Sequence, residues 1–304
     1  MNILLFGAHG QAGWELQRAL APLGALTALG HAEADLEEPV RDTVLRARPA
    51  VIVNAAAYTA VDKAESEPQR ALRINAGAVA EMAAAARELD ALLVHYSTDY
   101  VFDGAKAGAY TVDDATAPLN VYGASKLAGE QAIRAAACRH LIFRTSWVYA
   151  ARGRNFARTM LARACSLDRL QAVADTVGVP TSAALLADVT ALAVHHCVTA
   201  AARALPAPDG TFHLVPAGAT TWHGYAEFLV ETARARGLPV RVAPGAIEAV
   251  PASAFAAPAA RPRNSRLDNT GLEAAFGLQM PDWRVHVRRL VDELADAAGA
   301  SLAG

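Results

Sequence analysis

Residues 1–20 read MNILLFGAHGQAGWELQRAL, and the architecture follows from them. Asn2–Phe6 is a short apolar run stopped by glycine, the pattern of a strand buried on both faces. From Gln11 onward, Trp14, Leu16 and Leu20 are mixed with Glu15 and Arg18 in a helical distribution. Between strand and helix lies Gly7-Ala8-His9-Gly10-Gln11-Ala12-Gly13. Gly7 allows the tight turn, Gly10 lets a diphosphate approach the backbone, and Gly13 lets the helix press on the sheet. The unpaired N–H groups and positive dipole end of such a helix face phosphate. A glycine triplet alone is weak. Directly after a first strand, it points to a dinucleotide-binding turn.

Beyond this turn, strand and helix signals alternate through residue 150. Residues 51–55 (VIVNA), 91–96 (ALLVHY) and 140–149 (HLIFRTSWVY) read as strands, with a weaker one at 26–29. Helical segments fall around 68–89 and 120–137. The alternation predicts an α/β protein with a Rossmann-type doubly wound parallel sheet and right-handed crossovers. After residue 150 the pattern loosens. Helices are expected at 155–165, 183–201, 222–236 and 283–298, and strands at 169–174 and 211–215. Residues 240–268, with prolines at 244, 251, 258 and 262, read as extended and loop structure. The expected organisation is a dinucleotide-binding domain over 1–150, to which segments near 183–215 return. A smaller α/β C-terminal lobe over 151–304 would bind substrate.

Composition narrows the function. The chain has 304 residues, 53% hydrophobic and 19% charged, with a formal net charge of −2. A basic face for nucleic acid is not indicated. Lys63, Lys106 and Lys126 are the only lysines, so most positive charge is carried by arginine, which suits a diphosphate locally. Cys138, Cys165 and Cys197 fit no zinc or disulfide spacing and read as reduced, packed thiols. No basic segment precedes the first apolar run, and no uncharged run is long enough to span a bilayer. The expectation is a cytoplasmic protein without nucleic-acid or membrane partners.

The chemistry is read from Tyr122 and Lys126 in VYGASKLAGE. At i and i+4 on a helix, phenol and ammonium share a face. Ketone reduction needs hydride at carbon and a proton at oxygen, and a free tyrosine, with a pKa near ~10, is a sluggish proton donor at neutrality. A lysine ammonium at ~4 Å is worth up to ~4 kcal/mol at an effective dielectric of ~20. It is therefore expected to lower the phenol pKa by roughly one to three units. Lys126 would also hold the nicotinamide ribose hydroxyls. Thr98, in Tyr96-Ser97-Thr98-Asp99 at a strand end, offers its hydroxyl to the same carbonyl oxygen. At the end of the second strand, where an acid would grip the ribose of NAD, stand Gly30 and His31, with Glu33 and Asp35 later. The missing acid leaves room for a 2′-phosphate, so NADPH should serve at least as well as NADH.

Together, the glycine loop and Tyr122-x-x-x-Lys126 resemble the extended short-chain dehydrogenase/reductases. The likeness extends almost end to end to the dTDP-4-dehydrorhamnose reductase family, through VNAAAYTAVDKAESEP, HYSTDYVFDG, APLNVYGASKLAGE, HLIFRTSWVYA, NFARTML, GVPTSAALLAD, TTWHGYAEF and RPRNSRLD. The resemblance implies NAD(P)H-dependent reduction of the 4-keto group of dTDP-4-dehydro-β-L-rhamnose, the last step of dTDP-L-rhamnose synthesis. It implies Tyr122 as proton donor, Lys126 as its partner, and Thr98 and Asp99 on the sugar, with Trp147 lining the sugar pocket. It places Gly10, Gln11 and Ala12 on the cofactor diphosphate and Asp35 and Leu36 beside the adenine half. Ala56, Ala57, Tyr58 and Thr59 form the loop over the cofactor. Some members dimerise through magnesium held by glutamates. Glu15 and Glu293 are present, but Ala184 stands at a third acidic position, so magnesium is not expected and the chain is a monomer or a homodimer.

Other residues admit two readings. Trp147 lines the pocket or is simply core. Asn155, Arg261, Asn264 and Ser265 bind the nucleotide diphosphate or belong to surface loops. His195 and His196 read as a helix face without a third metal ligand, and Lys63 and Glu65 as a helix-start charge cluster. Two rival functions remain. A dehydratase of this fold needs an Asp-Glu pair after the threonine, and Tyr100 follows Thr98-Asp99 here; an epimerase would keep its cofactor bound. A non-catalytic NADP-binding regulatory subunit would not need Tyr122, Lys126 and Thr98 intact.

Overall fold

The structure, a computed structural model, describes residues 1–303. Its N-terminal part runs Asn2–Phe6 (β1), Gln11–Leu20 (α1), Ala25–Leu29 (β2), Arg41–Ala47 (α2), Val51–Asn54 (β3), Val61–Ala64 (α3), Pro68–Leu72 (α4) and Ala78–Leu89 (α5). Leu92–Thr98 (β4), Val121–Ala136 (α6), His140–Thr145 (β5) and Val148–Tyr149 (β6) follow. The later part runs Phe156–Ser166 (α7), Leu170–Val173 (β7), Val177–Gly178 (β8), Thr181–Ser182 (β9), Ala183–Ala202 (α8) and Gly210–His213 (β10). It ends with Thr220–Thr221 (β11), Trp222–Ala235 (α9), Ile247–Val250 (β12), Thr270–Phe276 (α10) and Trp283–Ala303 (α11).

Six strands form one parallel sheet in the order β10-β5-β4-β3-β1-β2. The apolar runs explain it, because neither face of the sheet meets water. Ile3 and Leu5 of β1 pack with α1 and α8 on one side; Leu4 and Phe6 pack with α2 and α5 on the other. β2 lies on one side of β1 and β3 on the other, so the strand order reverses between β1 and β3, and α/β folds bind ligands at the carboxyl ends of such a switch. A separate cluster, centred on Phe102, Tyr149, Tyr225, Leu229 and Trp283, joins α7, α9 and α11 to the pair β7–β12.

Three departures from the sequence reading matter. The helix expected over 68–89 is interrupted by a π-helical turn, Arg73–Gly77. Within it, the buried Asn75 side chain accepts the Tyr58 N–H at 2.9 Å and donates to the Tyr58 carbonyl at 3.0 Å and to Ser125 Oγ at 2.9 Å. That bridging explains a widened turn. The run 140–149 is two strands, broken where Trp147 takes a left-handed backbone, φ 46°. Residues 247–250, within the stretch expected as extended and loop structure, form a regular strand, β12, which pairs in parallel with β7.

Candidate active site

The carboxyl ends of β1, β3 and β4 open into one cleft of about 770 Å³. Gly7, Gly10, Gln11 and Ala12 line it. At Gly7 (φ 83°), a Cβ would sit 2.7 Å from the Ala56 backbone nitrogen, so the first and third strand-end loops meet only because this residue is glycine. Gly13 lies behind the loop. A Cβ there would sit 1.9 Å from the Gly7 carbonyl oxygen, which is the close helix–strand contact expected of the third glycine. No side chain caps α1 at Gly10, which leaves its first N–H groups free for an anion. Gly30, His31, Asp35 and Leu36 line the far end with Arg70 and Glu37, whose side chains pair at 2.6 Å. Glu33 turns back to accept the Gly30 N–H at 2.9 Å. Ala56, Ala57 and Thr59 line the near wall. Tyr58 does not: its buried ring turns away and its hydroxyl donates to Glu67 at 2.8 Å. The glycine cradle, bare helix end and elongated lining fit a dinucleotide.

Tyr122 and Lys126 sit on α6. Asn120 caps that helix by accepting the Gly123 N–H at 2.8 Å, and its amide donates to the Ala260 carbonyl at 2.7 Å. A Cβ on Gly123 would meet the Tyr100 carbonyl at 2.2 Å, so glycine lets the helix press against the end of β4. Tyr122, Lys126 and Glu130 then fall on one stripe. Tyr122 and Lys126 line the cleft with Thr98 and Asp99. Burial pushes the Tyr122 phenol up to about 12, and the neighbouring Thr98 hydroxyl pulls the other way. The depression expected from Lys126 is therefore not found. Lys126 is itself buried, which pushes its ammonium down to about 8, and its Nζ lies 3.1 Å from His95 Nε2. Glu130, buried, accepts Arg144 at 2.9 and 2.7 Å and Ser97 at 2.6 Å, and stays below the usual carboxyl range through these bonds despite burial.

On the substrate side, Asp99 is 3% exposed and accepts the Thr98 hydroxyl at 3.0 Å. Burial pushes its carboxyl up to about 6, with Ser265 and Thr98 pulling down. Its Oδ2 and the Thr145 hydroxyl, both at the cleft, find no partner among the described residues. Trp147 lines the cleft and stacks on Trp222, with ring centroids 3.6 Å apart and planes 14° from parallel. The remaining expected contacts are not cleft-lining. Asn155 caps α7 and donates to Gln11 and to the Ala150 carbonyl, each at 2.8 Å. Arg261 is held by Asp62 at 2.7 Å. Asn264 is consumed by the Lys106 and Gly108 carbonyls, each at 2.7 Å, and Ser265 is buried beside Asp99. Lys63 pairs with Glu67 at 2.7 Å, and Glu65 accepts the Val121 N–H at 2.8 Å. Glu15 lies 3.5 Å from Arg18, and no three His, Cys, Asp or Glu side chains cluster among the described residues.

The sequence reading missed Asn54, His95, Tyr100, Thr145 and Trp222. Asn54 and His95 carried a signal, being polar residues inside strands buried on both faces. Tyr100, Thr145 and Trp222 carried none apart from the fold that gathers them.

Known proteins match this arrangement. A family model described as the RmlD substrate binding domain matches residues 1–296. A dTDP-4-dehydrorhamnose reductase of Shigella flexneri is 52% identical over 300 residues, covering 97% of this chain and 98% of its own. One from Escherichia coli (strain K12) is 51% identical over 302 residues, with the same coverage of 97% and 98%. The crystal structure of dTDP-4-dehydrorhamnose reductase from Bacillus anthracis in complex with NADP superimposes with a TM-score of 0.86 at 33% identity, over 96% of this chain and 99% of that one. Thermus thermophilus UDP-glucose 4-epimerase in complex with NAD shares the fold alone, with a TM-score of 0.73 at 17% identity over 96% of this chain and 98% of that one. The chain belongs to the RmlD substrate binding domain family, that of the dTDP-4-dehydrorhamnose reductases.

Proposed function

We infer that this chain is an NAD(P)H-dependent oxidoreductase that reduces the 4-keto group of dTDP-4-dehydro-β-L-rhamnose to give dTDP-L-rhamnose, the last step of dTDP-rhamnose synthesis. The observation that carries the reading is Tyr122, Lys126 and Thr98 together at one end of a cleft whose other end is the glycine cradle. Gly10, Gln11, Ala12 and the start of α1 would hold the cofactor diphosphate, Asp35 and Leu36 the adenine half, and Lys126 the nicotinamide ribose. A reduced nicotinamide in this cleft supplies hydride to the sugar carbon.

Tyr122 delivers the proton to the sugar oxygen. Its raised pKa keeps the phenol protonated throughout the neutral range but makes it a weak acid, so the charge it leaves behind needs a partner. Thr98, whose hydroxyl donates to Asp99 in the ligand-free cleft, would turn that proton to the same oxygen and steady the charge that develops there. Lys126, when protonated, stabilises the phenolate left behind. Asp99 and Thr145 accept or donate to sugar hydroxyls through atoms that have no other partner. The stacked indoles of Trp147 and Trp222 give the sugar a flat apolar wall. In this reading residues 1–150 hold the cofactor and residues 151–304 mainly shape the sugar site.

The test is NADPH absorbance with the 4-keto-6-deoxy dTDP-sugar added. The expected outcome is one NADPH oxidised per sugar reduced. Conversion of the sugar without consumption of added NADPH would mean epimerisation instead.

A further inference from the structure

Behind Lys126 lies a row of buried polar groups that the reduction itself does not use. β3 and β4 run in parallel register with Asn54 opposite His95, and both side chains are sealed among apolar strand residues. Asn54 Oδ1 accepts the Ala56 N–H at 3.1 Å, and Asn54 Nδ2 lies 3.2 Å from His95 Nδ1. His95 Nε2 in turn lies 3.1 Å from Lys126 Nζ.

The row has a direction, and a peptide N–H sets it. The Ala56 N–H can only donate, so the oxygen of the Asn54 amide must face it and the NH2 must face His95. That NH2 also can only donate, so His95 Nδ1 is the bare nitrogen and the ring proton sits on Nε2. The Nε2 proton faces Lys126. A neutral amine there offers a lone pair; an ammonium sets one donor against another. Turning the Asn54 amide round would relieve the ammonium but leave two donors facing each other at Ala56.

We infer that the string Ala56–Asn54–His95 presents a proton rather than a lone pair to Lys126, making His95 a positioning residue that disfavours the lysine ammonium until acceptors enter the cleft. The inference rests on the reductase reading, because it assigns a control to that site's lysine. The string ends on a peptide N–H, so it holds a proton in place and cannot carry one away.

The other groups facing this pair leave the string's bias standing. On α6, Tyr122 lies one turn before Lys126, and Glu130 one turn after. Glu130 favours the ammonium, but Arg144 of β5, Arg134 and Ser97 of β4 already occupy its oxygens. Asp99 lies beside Tyr122 and raises the phenol rather than acting on the lysine. β3 contributes only neutral Asn54. Burial works in the same direction as the string, holding the His95 imidazolium well below its usual range and the Lys126 ammonium at about 8.

Ribose hydroxyls arriving beside Nζ would accept from an ammonium. Binding of the nucleotide should therefore draw a proton from solvent onto Lys126. Two measurements on the full-length protein test this. In the first, nitrogen-15 NMR of labelled histidine in the ligand-free protein at about pH 8.5 should show neutral His95 with its proton on Nε2. A proton on Nδ1, or an imidazolium, would overturn the inference. The second is calorimetry of NADPH binding at about pH 8.5 in buffers of different ionisation enthalpy, where net uptake of up to about one proton per nucleotide is expected. Absence of uptake would also overturn it.

His95→Gln supplies a variant arm. Glutamine reaches Lys126 without the Asn54 tie, so its amide oxygen can accept from an ammonium and the uptake should shrink. Uptake equal to that of the unaltered protein would reduce His95 to a packing residue. If the variant fails to fold, the first two measurements still decide. None of these readouts needs turnover, so failure to oxidise NADPH with the keto-sugar would refute the reductase reading while leaving the string intact.

Discussion

Asp99 shows how a single residue can serve the site at the expense of the fold. Its carboxyl is buried with one oxygen unpartnered, and burial raises its pKa to about 6. A raised carboxyl pKa means that the folded state binds the proton more tightly than the unfolded chain. The associated stability is fully present below the unfolded value near ~3.9 and is lost as pH rises through about 6. Asp99→Asn removes that penalty. The variant should gain on the order of 2 kcal/mol at about pH 7.5 and little at about pH 4, as read by thermal unfolding at the two pH values. It should also raise KM for the sugar. Equal Tm changes at both pH values would contradict the assignment. The residues that the sequence brought forward through local patterns, Gly7, Gly10, Thr98, Asp99, Tyr122 and Lys126, all line the cleft. Asn155, Arg261 and Asn264 do not line the cleft, and their partners were not legible, because composition shows what a side chain can bind and not what has already bound it. Asn155 is engaged by Gln11, Arg261 by Asp62, and Asn264 by two carbonyls.

Helix α6 carries Tyr122 and Lys126, and a close approach and an ion pair fix its position. A Cβ on Gly129 would lie 2.2 Å from the Asn75 carbonyl, so the helix packs directly against the π-helical turn. Further along, Glu130 is tied to Arg144 of β5 by two hydrogen bonds, with both side chains buried. Removing Arg144 would leave the buried Glu130 carboxylate with only the Ser97 hydroxyl and the partly exposed Arg134 beside it. Arg144→Met should therefore cost about 3–5 kcal/mol in urea unfolding. The double variant Glu130→Gln/Arg144→Met should recover part of that loss, because no lone charge remains. A single variant as stable as the unaltered chain would show that the pair does not anchor the helix. At this level the sequence was readable wherever periodicity is local. The strands of the main sheet announced themselves as apolar runs. The π-helical turn did not, because it depends on Asn75 reaching Tyr58 and Ser125 across the fold. β12 was hidden because prolines at 244 and 251 flank a run that becomes a strand only by pairing with β7.

Across the whole molecule, the cleft joins the glycine cradle built by the first strands to an end walled by Trp147 and Trp222; in the proposed reading the first holds the cofactor and the second the sugar. Gly30 and His31 stand where an acid would select NADH, and Arg70, paired with Glu37, lines the same end of the cleft. NADPH should give kcat/KM at least equal to that of NADH, and a strong NADH preference would contradict this account of the adenine end. The fold class was legible because a parallel sheet covered on both faces leaves a clear sequence pattern. The electrostatics were not: proximity on a helix predicted a lowered phenol pKa, whereas burial dominates both Tyr122 and Lys126. The central claim is that the Tyr122 hydroxyl supplies the proton for ketone reduction. Its most direct test is Tyr122→Phe, assayed by NADPH oxidation with the keto-sugar alongside a separate measurement of NADPH binding. Turnover should fall by about 10²–10⁴-fold with nucleotide affinity retained; turnover at the unaltered rate would contradict the claim.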